Sequence, residues 1–549
     1  MNFKKVKIQL KRRLNVWRII SLIGAAAILL PIFYVFLSIF DPPNENWVQI
    51  SKYLIKDYFT QTLGLTLAVA LLSGLLGVAL AWLIAVYDFP GKRFFRWALV
   101  LPLAIPPYIA AFTYSTMFSY TGVIQSTLRN QFGIILHQKL MAFSSMRGAV
   151  IIFTLFLFPY VYIITKSFFE KQSASFIENA RLLGRNGWSM FIHIGLPLAR
   201  PALAGSISLV SFEVLSDYGV TSYFGVHTIS TAIFQTWFGM YDVDSAMRLA
   251  AWLMLIVLGL FFGEMLLRKR RSYSSTTSKT RSMTPRRLTG KRAAAATTLC
   301  TLVWCTSFLF PLTQLLVWAS WTYDTIWNAD LVRLMYQTLS VALAATMIIM
   351  FFSVMVAAVN RKRSSATNLL SRAVTAGYSI PGAIIAIGVL AIFLQLDKLW
   401  ASVHQKLAFG GVPLILSLNL AMLIAGYVVR FMATGYNAVE VGFEKTGMKF
   451  SEASRILGHG RLRTCLSVDL PLIKGAVLSG CILTFVEICK ELPLALILRP
   501  FNFETLAIKA YRYANDEQIF EASIPSLLII CISFVSVYIM HHFDRKWEK

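Results

Sequence analysis

Long apolar runs separated by short polar or basic segments recur along the whole chain. A helix of about 20 apolar residues crosses roughly 30 Å of hydrocarbon, because each residue adds about 1.5 Å to its length. Runs of that length can be placed about twelve times. They cover residues 17–40, 62–87, 96–119, 148–168, 199–216, 246–267, 295–319, 337–359, 374–396, 412–433, 473–490 and 524–541. The pattern therefore predicts an all-α polytopic membrane protein with about 12 transmembrane helices.

The composition and the placement of charge agree with a membrane protein. Of the 549 residues, 57% are hydrophobic and only 14% are charged, and the mean hydropathy is +0.63. The formal net charge is +26, but the basic residues flank predicted spans, which by the positive-inside rule places these flanks and both termini in the cytoplasm. The clusters are Lys4, Lys5, Lys7, Lys11, Arg12 and Arg13, then Lys92, Arg93 and Arg96, then Arg361, Lys362 and Arg363. No soluble domain with basic and aromatic residues interleaved is present, so nucleic acid is not an expected partner.

The chain divides into two halves of about six spans each. Between them, residues 268–293 are polar and basic without apolar periodicity, which predicts a flexible cytoplasmic linker joining residues 1–267 to residues 294–549. Because six is even, the two halves enter and leave the membrane in the same sense. They are therefore expected to be parallel repeats related by a pseudo-twofold axis along the membrane normal.

A 20-residue pattern occurs once in each half and supports this duplication. Residues 178–197 read ENARLLGRNGWSMFIHIGLP and residues 452–471 read EASRILGHGRLRTCLSVDLP. The glutamates, the glycines and the final Leu-Pro pairs are all 274 residues apart (452 − 178, 458 − 184 and 471 − 197). The pattern predicts a helix, a break at the glycine, a second short helix, and a proline that opens the following span. Such an element on the inner face is suited to docking a partner.

This pattern resembles the Glu-Ala-Ala loop of the permease subunits of ATP-binding-cassette importers. The matching residues are Glu178, Ala180 and Gly184 in the first copy and Glu452, Ala453 and Gly458 in the second. The resemblance implies a type I importer permease fold in which the loops near residues 170–197 and 440–471 each dock one copy of a separate ATPase subunit. The chain itself has no Gly-x4-Gly-Lys-Ser/Thr phosphate loop, so we expect it not to be an enzyme, with ATP and Mg²⁺ bound by the partner.

Four acidic residues lie within or next to the spans that follow the two motifs. Glu213 and Asp217 in the first half correspond to Glu487 and Glu491 in the second at the same offset of 274, and each pair is spaced i, i+4. That spacing puts both carboxylates on one face of a helix. A charge at this depth is costly unless it faces water or a partner, so these residues are candidates for a translocation path. Alternatively, they cap helices broken at DYG and ELP, or pair with Lys490 and Arg499.

A path lined by four carboxylates would suit a hard, highly charged cation and would repel phosphate or sulfate. The fused length and the segments around both carboxylate pairs look like the permeases of ferric-iron importers. This resemblance implies ferric iron as substrate, with transient Fe(III) contacts at Glu213, Asp217, Glu487 and Glu491. It also implies a periplasmic or lipid-anchored iron-binding protein as partner, and the bacterial inner membrane as location. Similar fused permeases serve thiamine and aminoethylphosphonate.

From another class, an ion-coupled secondary transporter also fits six plus six spans, but it needs no docking motif. An intramembrane enzyme is a third alternative, although no motif such as His-Glu-x-x-His is present.

Overall fold

A computed structural model describes residues 16–134, 143–172, 184, 186–269, 285–361, 367, 370, 371, 374, 375, 377–406 and 416–547. The first half contains α1 (Val16–Leu37), α2 (Glu45–Val86), α3 (Lys92–Ala98), α4 (Pro107–Phe118), α5 (Val123–Phe132), α6 (Met146–Gln172), α7 (Gly187–Ser216), α8 (Gly219–Tyr223), α9 (Ile229–Phe234) and α10 (Val243–Lys269). Short 3₁₀ turns cover Ser38–Phe40 and Leu101–Ala104. The all-α prediction is confirmed.

The second half repeats this order of elements. It contains α11 (Gly290–Ile326), α12 (Ala329–Asn360), α13 (Gly382–Lys406), α14 (Leu420–Thr446), α15 (Lys449–Ile456), α16 (Arg461–Leu472), α17 (Lys474–Cys489), α18 (Pro493–Leu498), α19 (Leu506–Asn515) and α20 (Ser523–Trp547). A 3₁₀ turn covers Gly377–Ser379. We call the end of the molecule that carries Gly184, Arg361 and Gly458 the motif face, and the opposite end the far face.

Eight of the described helices are long and apolar enough to cross a membrane, or up to ten if two bent pairs each count as one span. The bends measure 92° between the segments Lys92–Ala104 and Pro107–Phe132, and 78° between α16 and α17. The predicted spans 412–433 and 524–541 overlap with α14 and α20, and residues 412–415 lie outside the described part of the chain. These two helices are present but less uniformly apolar, α14 because it carries Arg430.

The two halves share matching internal hydrogen bonds. In the first half, the Ile229 N–H at the start of α9 donates to the Thr62 hydroxyl of α2 at 2.9 Å. In the second half, the Leu506 N–H at the start of α19 donates to the Thr338 hydroxyl of α12, also at 2.9 Å. The duplication seen in the sequence is therefore also present in the fold.

The first helix of each half contacts the other half. α1 packs on α12 and α13, where a Cβ at Gly388 would lie 2.5 Å from the Pro31 carbonyl oxygen, so only glycine permits the approach. α11 packs on α3 and α4, and the Tyr114 hydroxyl of α4 donates to the Thr306 carbonyl of α11. The halves are consequently interlocked.

The predicted linker is shorter than expected at its carboxyl end. Arg286–Arg287 (β2) pairs in parallel with Tyr87–Asp88 (β1), and α11 already begins at Gly290. Residues 285–293 are thus not a flexible tether, because backbone hydrogen bonds and the start of a helix fix them. Residues 270–284 lie outside the described part of the chain.

Pro197, which was expected to open a helix, lies inside one. In α7, α11 and α16 a π-turn ends two residues before Pro197, Pro311 and Pro471 respectively. Proline lacks an N–H, and its ring clashes with the carbonyl four residues back, so a widened turn at that position lets the helix continue. The prediction that Pro197 opens the next span is wrong, since α7 begins at Gly187.

The short helices α9 and α19 are packed inside the protein. All six residues of α9 are buried, and so are Leu506, Ala507 and Ile508 of α19. Each of these helices follows a break after α7 or α17 at which the chain turns back into the bundle. The apolar residues of α9 and of the first turn of α19 therefore belong to the core.

Candidate functional site

The four carboxylates lie at the two helix breaks, in equivalent positions. Asp217 follows the last residue of α7, and its Oδ1 accepts from the Val220 N–H of α8 at 2.8 Å. Glu491 follows α17, and its Oε1 accepts from the Leu494 N–H of α18 at 3.2 Å. Each carboxylate satisfies a backbone donor that the broken helix would otherwise leave free. The capping alternative is therefore correct for Asp217 and Glu491.

All four carboxylates line one cavity of about 100 Å³ between the two halves. Glu213 and Glu487 lie four residues before the capping pair and are half-buried, as is Asp217, whereas Glu491 is buried. The convergence expected from the repeat is present. Other lining residues come from the segment after α3, from α4, α6 and α14, namely Leu103, Ile105, Pro106, Pro107, Tyr108, Phe153, Phe156, Leu157, Tyr160, Arg430 and Phe431.

Two cations inside the cavity pair with two of the carboxylates. Lys490 Nζ lies 2.7 Å from Glu487 Oε1, and Arg430 Nε lies 3.2 Å from Glu491 Oε2. Lys490 was expected as a partner, but the expectation for Arg499 is wrong. Arg499 follows α18 and instead lies 3.4 Å from Glu504.

Sequence reasoning missed Arg430, although a signal was available. It lies inside a predicted span, where an ionisable residue is a candidate functional residue by default. Its Nη2 donates to the Ser216 hydroxyl at 3.0 Å, and the Gly382 N–H donates to the same hydroxyl at 3.2 Å. Ser216 thus connects the first half to the second at the edge of the cavity. A Cβ at Gly382 would lie 2.6 Å from Arg430 Nη1 and 2.8 Å from Glu491 Oε1, so a larger residue there would displace the side chains of this ion pair.

Tyr108 is a second lining residue that sequence reasoning missed. Its side chain is buried, and its hydroxyl has no hydrogen-bond partner within the described structure. A buried hydroxyl without a partner is destabilising unless something else occupies the site. No pattern in the sequence distinguished this tyrosine from the other aromatic residues of the spans.

The site carries an excess of negative charge without the arrangement of a metal centre. With every group ionised, four carboxylates and two paired cations leave a formal charge of −2. Within the described residues, however, no group of three or more His, Cys, Asp or Glu side chains is placed to hold a metal ion. The four carboxylates therefore do not form a resident metal centre.

The second docking motif has the expected helix, glycine break and helix. α15 carries Glu452 and Ala453, both exposed, and Gly458 has φ +87°, a left-handed conformation that favours glycine. In the first copy, Gly184 has φ +73°, which is the same kind of break. Glu178 and Ala180 lie outside the described residues.

An arginine at the end of α12 binds the second motif, which the sequence did not reveal. Arg361 Nη1 donates to Ser451 Oγ at 2.8 Å and to Asp469 Oδ1 at 2.9 Å. Its Nη2 donates to the Gly447 carbonyl. Arg361 was interpreted only as a basic flank of a span, whereas it also connects α12, α14, α15 and α16.

Comparison with known proteins identifies the family. Residues 75–266 and 349–549 both match the family described as "Binding-protein-dependent transport system inner membrane component". This chain belongs to that family. The two matches begin 349 − 75 = 274 residues apart, which is the offset of the docking motifs and of the carboxylate pairs. Each half is thus one permease unit, and the fused, membrane-embedded transport component inferred from the sequence is confirmed.

Proteins similar to this chain include ferric and sulfate transport permeases. Over 534 residues the chain is 24% identical to the Fe(3+)-transport system permease protein FbpB 2 of Haemophilus influenzae (strain ATCC 51907 / DSM 11121 / KW20 / Rd), covering 96% of this chain and 98% of that relative. Over 205 residues it is 25% identical to the sulfate transport system permease protein CysW of Escherichia coli (strain K12), covering 37% of this chain and 67% of that relative. The ferric relative therefore matches the permease over both halves, whereas the sulfate relative matches a single-half length.

Proposed function

We propose that this chain is the membrane permease of an ATP-driven importer that moves ferric iron from a binding protein into the bacterial cytoplasm. The observation that carries the proposal is an intramembrane cavity that is lined by all four carboxylates, Glu213, Asp217, Glu487 and Glu491. Carboxylate oxygen is the ligand type that hard cations prefer, and the formal charge of −2 would repel sulfate. The ferric relative that aligns over nearly the whole chain supports the same substrate.

Exposed apolar side chains on both motifs support ATPase docking. Trp188 is 71% exposed and Leu462, its equivalent 274 residues later, is 61% exposed. Ile456 and Leu457 of the second motif are 85% and 77% exposed. Apolar clusters on a polar surface mark protein interaction sites. Each motif would bind one of two ATPase copies, which bind ATP and Mg²⁺, so the motif face and both termini are cytoplasmic.

The helices leading from the motifs provide a route from the ATPases to the cavity. α7 runs from Gly187, just after the first motif's glycine, without interruption to Ser216, directly before Asp217. In the second half, α16 leads through the 78° bend into α17, which ends two residues before Glu491. Closure of the ATPase dimer would move both docking helices and open the cavity to the outside, and hydrolysis would reset it.

A variant of the cavity carboxylates tests the substrate and the path together. The chain would be reconstituted in proteoliposomes with its ATPase and binding protein, and uptake of radiolabelled ferric iron, sulfate, thiamine and aminoethylphosphonate would be compared. We expect ferric iron to be transported, and Glu213→Gln with Glu487→Gln to lower its uptake because two of the four carboxylates lose their charge. Glu45→Gln, which changes an exposed glutamate of the far face, is the matched control.

The single variant Glu213→Gln separates transport from folding. No ion pair among the described residues involves Glu213, so this substitution strands no cation, whereas Glu487→Gln leaves Lys490 without its partner. Normal iron uptake by a correctly assembled double variant would refute the cation path. Uptake of thiamine or aminoethylphosphonate instead of iron would identify that compound as the substrate, and the chain would remain a permease of the same importer class.

A further inference from the structure

A second cavity, of about 710 Å³, opens at the far face and shares no lining residue with the carboxylate cavity. It lies beside the start of α12, the segment between α18 and α19, and the π-turn after α9, so both halves contribute to it. Its volume is within the range of small-molecule binding sites, roughly 300 to 1,000 Å³. The function proposed above assigns nothing to this cavity.

The cavity is lined by an excess of cations. Arg499 and Lys509 lie 3.4 and 3.8 Å from the two carboxylate oxygens of Glu504, and Arg512 pairs with the same glutamate. One carboxylate therefore serves three cations, which leaves a formal charge of +2. Arg333 and Asp330 also line the cavity and cancel each other formally. Arg499, Lys509 and Glu504 are no more than 30% exposed, so bulk water does not fully screen their charges.

This charge is confined to one half of the repeat. At the offset of 274 that relates Glu491 to Asp217, Arg499 corresponds to Gly225. At the offset of 277 that relates Leu506 to Ile229, Lys509 and Arg512 correspond to Ala232 and Gln235. Residues 217–245 contain no lysine or arginine at all.

Such charge is unusual for this side of a membrane protein. With the orientation proposed above, the far face is extracytoplasmic, and extracytoplasmic segments of membrane proteins are poor in lysine and arginine. Neither the repeat nor membrane topology explains the three cations. Their placement around a cavity indicates a ligand.

We propose that this cavity binds a small oxyanion that carries carboxylate or phosphate groups. Arginine presents a planar fork of donors that matches these groups, and Arg499 and Arg512 would bind the ligand. The amides of Asn328 and Gln337 also line the cavity and supply uncharged hydrogen-bonding groups. A bare cation would be repelled here, so the cavity is not a second site for free ferric iron.

The anion has two possible sources, either the free molecule or the ligand of a ferric complex. Isothermal titration calorimetry on the complete transporter in nanodiscs would compare citrate, inorganic phosphate and ferric citrate. Equal affinity for citrate and ferric citrate identifies the free anion, and tighter binding of ferric citrate identifies the metal-bound anion. Either result supports the site.

Three variants test the assignment of residues. Arg499→Gln with Arg512→Gln should weaken anion binding about tenfold or more, because both charge-assisted contacts to the anion are lost. Glu504→Gln should strengthen binding, because it raises the charge of the cavity by one unit. If Glu504 only held the neighbouring cations in place, the same substitution would weaken anion binding. Arg129→Gln, which changes an arginine that contacts Tyr120 outside the cavity, should have no effect.

Absence of binding to the wild type would overturn the proposal, as would unchanged binding by the double arginine variant. The proposal would also be overturned if the cavity bound only the acidic surface of the binding protein and no small anion. The inference rests on the proposed orientation, but its failure can be distinguished from failure of the proposed function. Iron uptake measured on the same preparation would be normal if only the anion site is wrong. It would be absent if the proposed function is wrong.

Discussion

Arg361 and Asp469 form an ion pair 2.9 Å long, with only 10% and 7% of their side chains exposed. Arg361 directly follows α12, and Asp469 lies in the π-turn of α16, so the pair connects a membrane-spanning helix to the second docking motif. The first half uses packing instead. Gly195, 274 residues before Asp469, lies so close to Trp82 that a Cβ there would be 2.5 Å from the ring.

Breaking this ion pair should uncouple ATP hydrolysis from transport. Arg361→Met leaves the buried Asp469 carboxylate without its charged partner, although the Ser451 hydroxyl still donates to it, and breaking a buried ion pair typically costs about 3 to 5 kcal/mol of folding free energy. We expect fewer iron ions transported per ATP hydrolysed, together with a lower thermal unfolding midpoint. Adding Asp469→Leu removes the stranded charge and should restore the midpoint without restoring coupling. Arg93→Met, at an exposed arginine of the motif face, is the control, and a wild-type transport ratio in Arg361→Met would count against the role.

The glycine break of the second motif should tolerate asparagine better than valine. A Cβ at Gly458 meets nothing within 4 Å, so only its φ of +87° limits substitution. Asparagine adopts left-handed conformations more readily than β-branched residues do. We expect Gly458→Val to reduce ATPase binding, measured by co-purification, and Gly458→Asn to retain most of it. Equal retention by both variants would show that the break is not required for docking.

Tyr108 is expected to contribute to transport without contributing to stability. Its buried hydroxyl has no partner in the described structure, so Tyr108→Phe removes an unsatisfied group and should leave the unfolding midpoint unchanged or slightly higher. Because Tyr108 lines the carboxylate cavity, uptake of ferric iron should fall. Tyr53→Phe, at an exposed tyrosine outside the cavity, serves as the control. A lower midpoint with unchanged uptake would assign Tyr108 to packing alone.

Equivalent positions in the two halves could be predicted from the sequence, because the offset between the two copies of the repeat is constant over the motifs and the carboxylate pairs. The offset of 274 between the motifs placed Asp217 and Glu491 at equivalent helix breaks, and the structure has them there. Apolar runs likewise located the spans, since their length is set by the membrane. Periodicity and repeats carry this information because they are properties of neighbouring or aligned positions.

Contacts between distant positions could not be predicted in this way. Arg361 and Asp469 are 108 residues apart, and Ser216 and Arg430 are 214 apart, so no local pattern relates them. The contact of α1 with the second half depends on how the helices pack, which hydropathy does not encode. The proline prediction failed for a local reason, because a π-turn before Pro197 lets α7 continue where sequence rules expect a helix to begin.

The far face contains a carboxylate whose ionisation should affect stability. Asp242 accepts from Asn44 and Asn46 at 2.9 Å each and from the Ser245 hydroxyl at 2.7 Å, which joins the start of α2 to the start of α10. Burial alone would raise the pKa of Asp242, but hydrogen bonds from Ser245, Asn46 and Asn44 outweigh it and hold the pKa below its ordinary value.

The sign of the pH effect follows from that lowered pKa. Stability from Asp242 is fully present above the unfolded pKa, about 3.9, and is lost as pH falls through the lower folded pKa. Asp242→Asn should therefore lower the unfolding midpoint most at neutral pH, and its difference from wild type should shrink below about pH 4. A difference that stays constant from neutral to acidic pH would contradict this account.

The most direct test of the central claim is the energy source of iron uptake. Proteoliposomes would contain the chain with its ATPase and binding protein, and ferric iron uptake would be measured with ATP, with a non-hydrolysable ATP analogue, and with an ion gradient alone. We predict uptake only with hydrolysable ATP, and none when the ATPase is omitted. Uptake driven by the gradient in vesicles that lack the ATPase would contradict the account and favour an ion-coupled transporter.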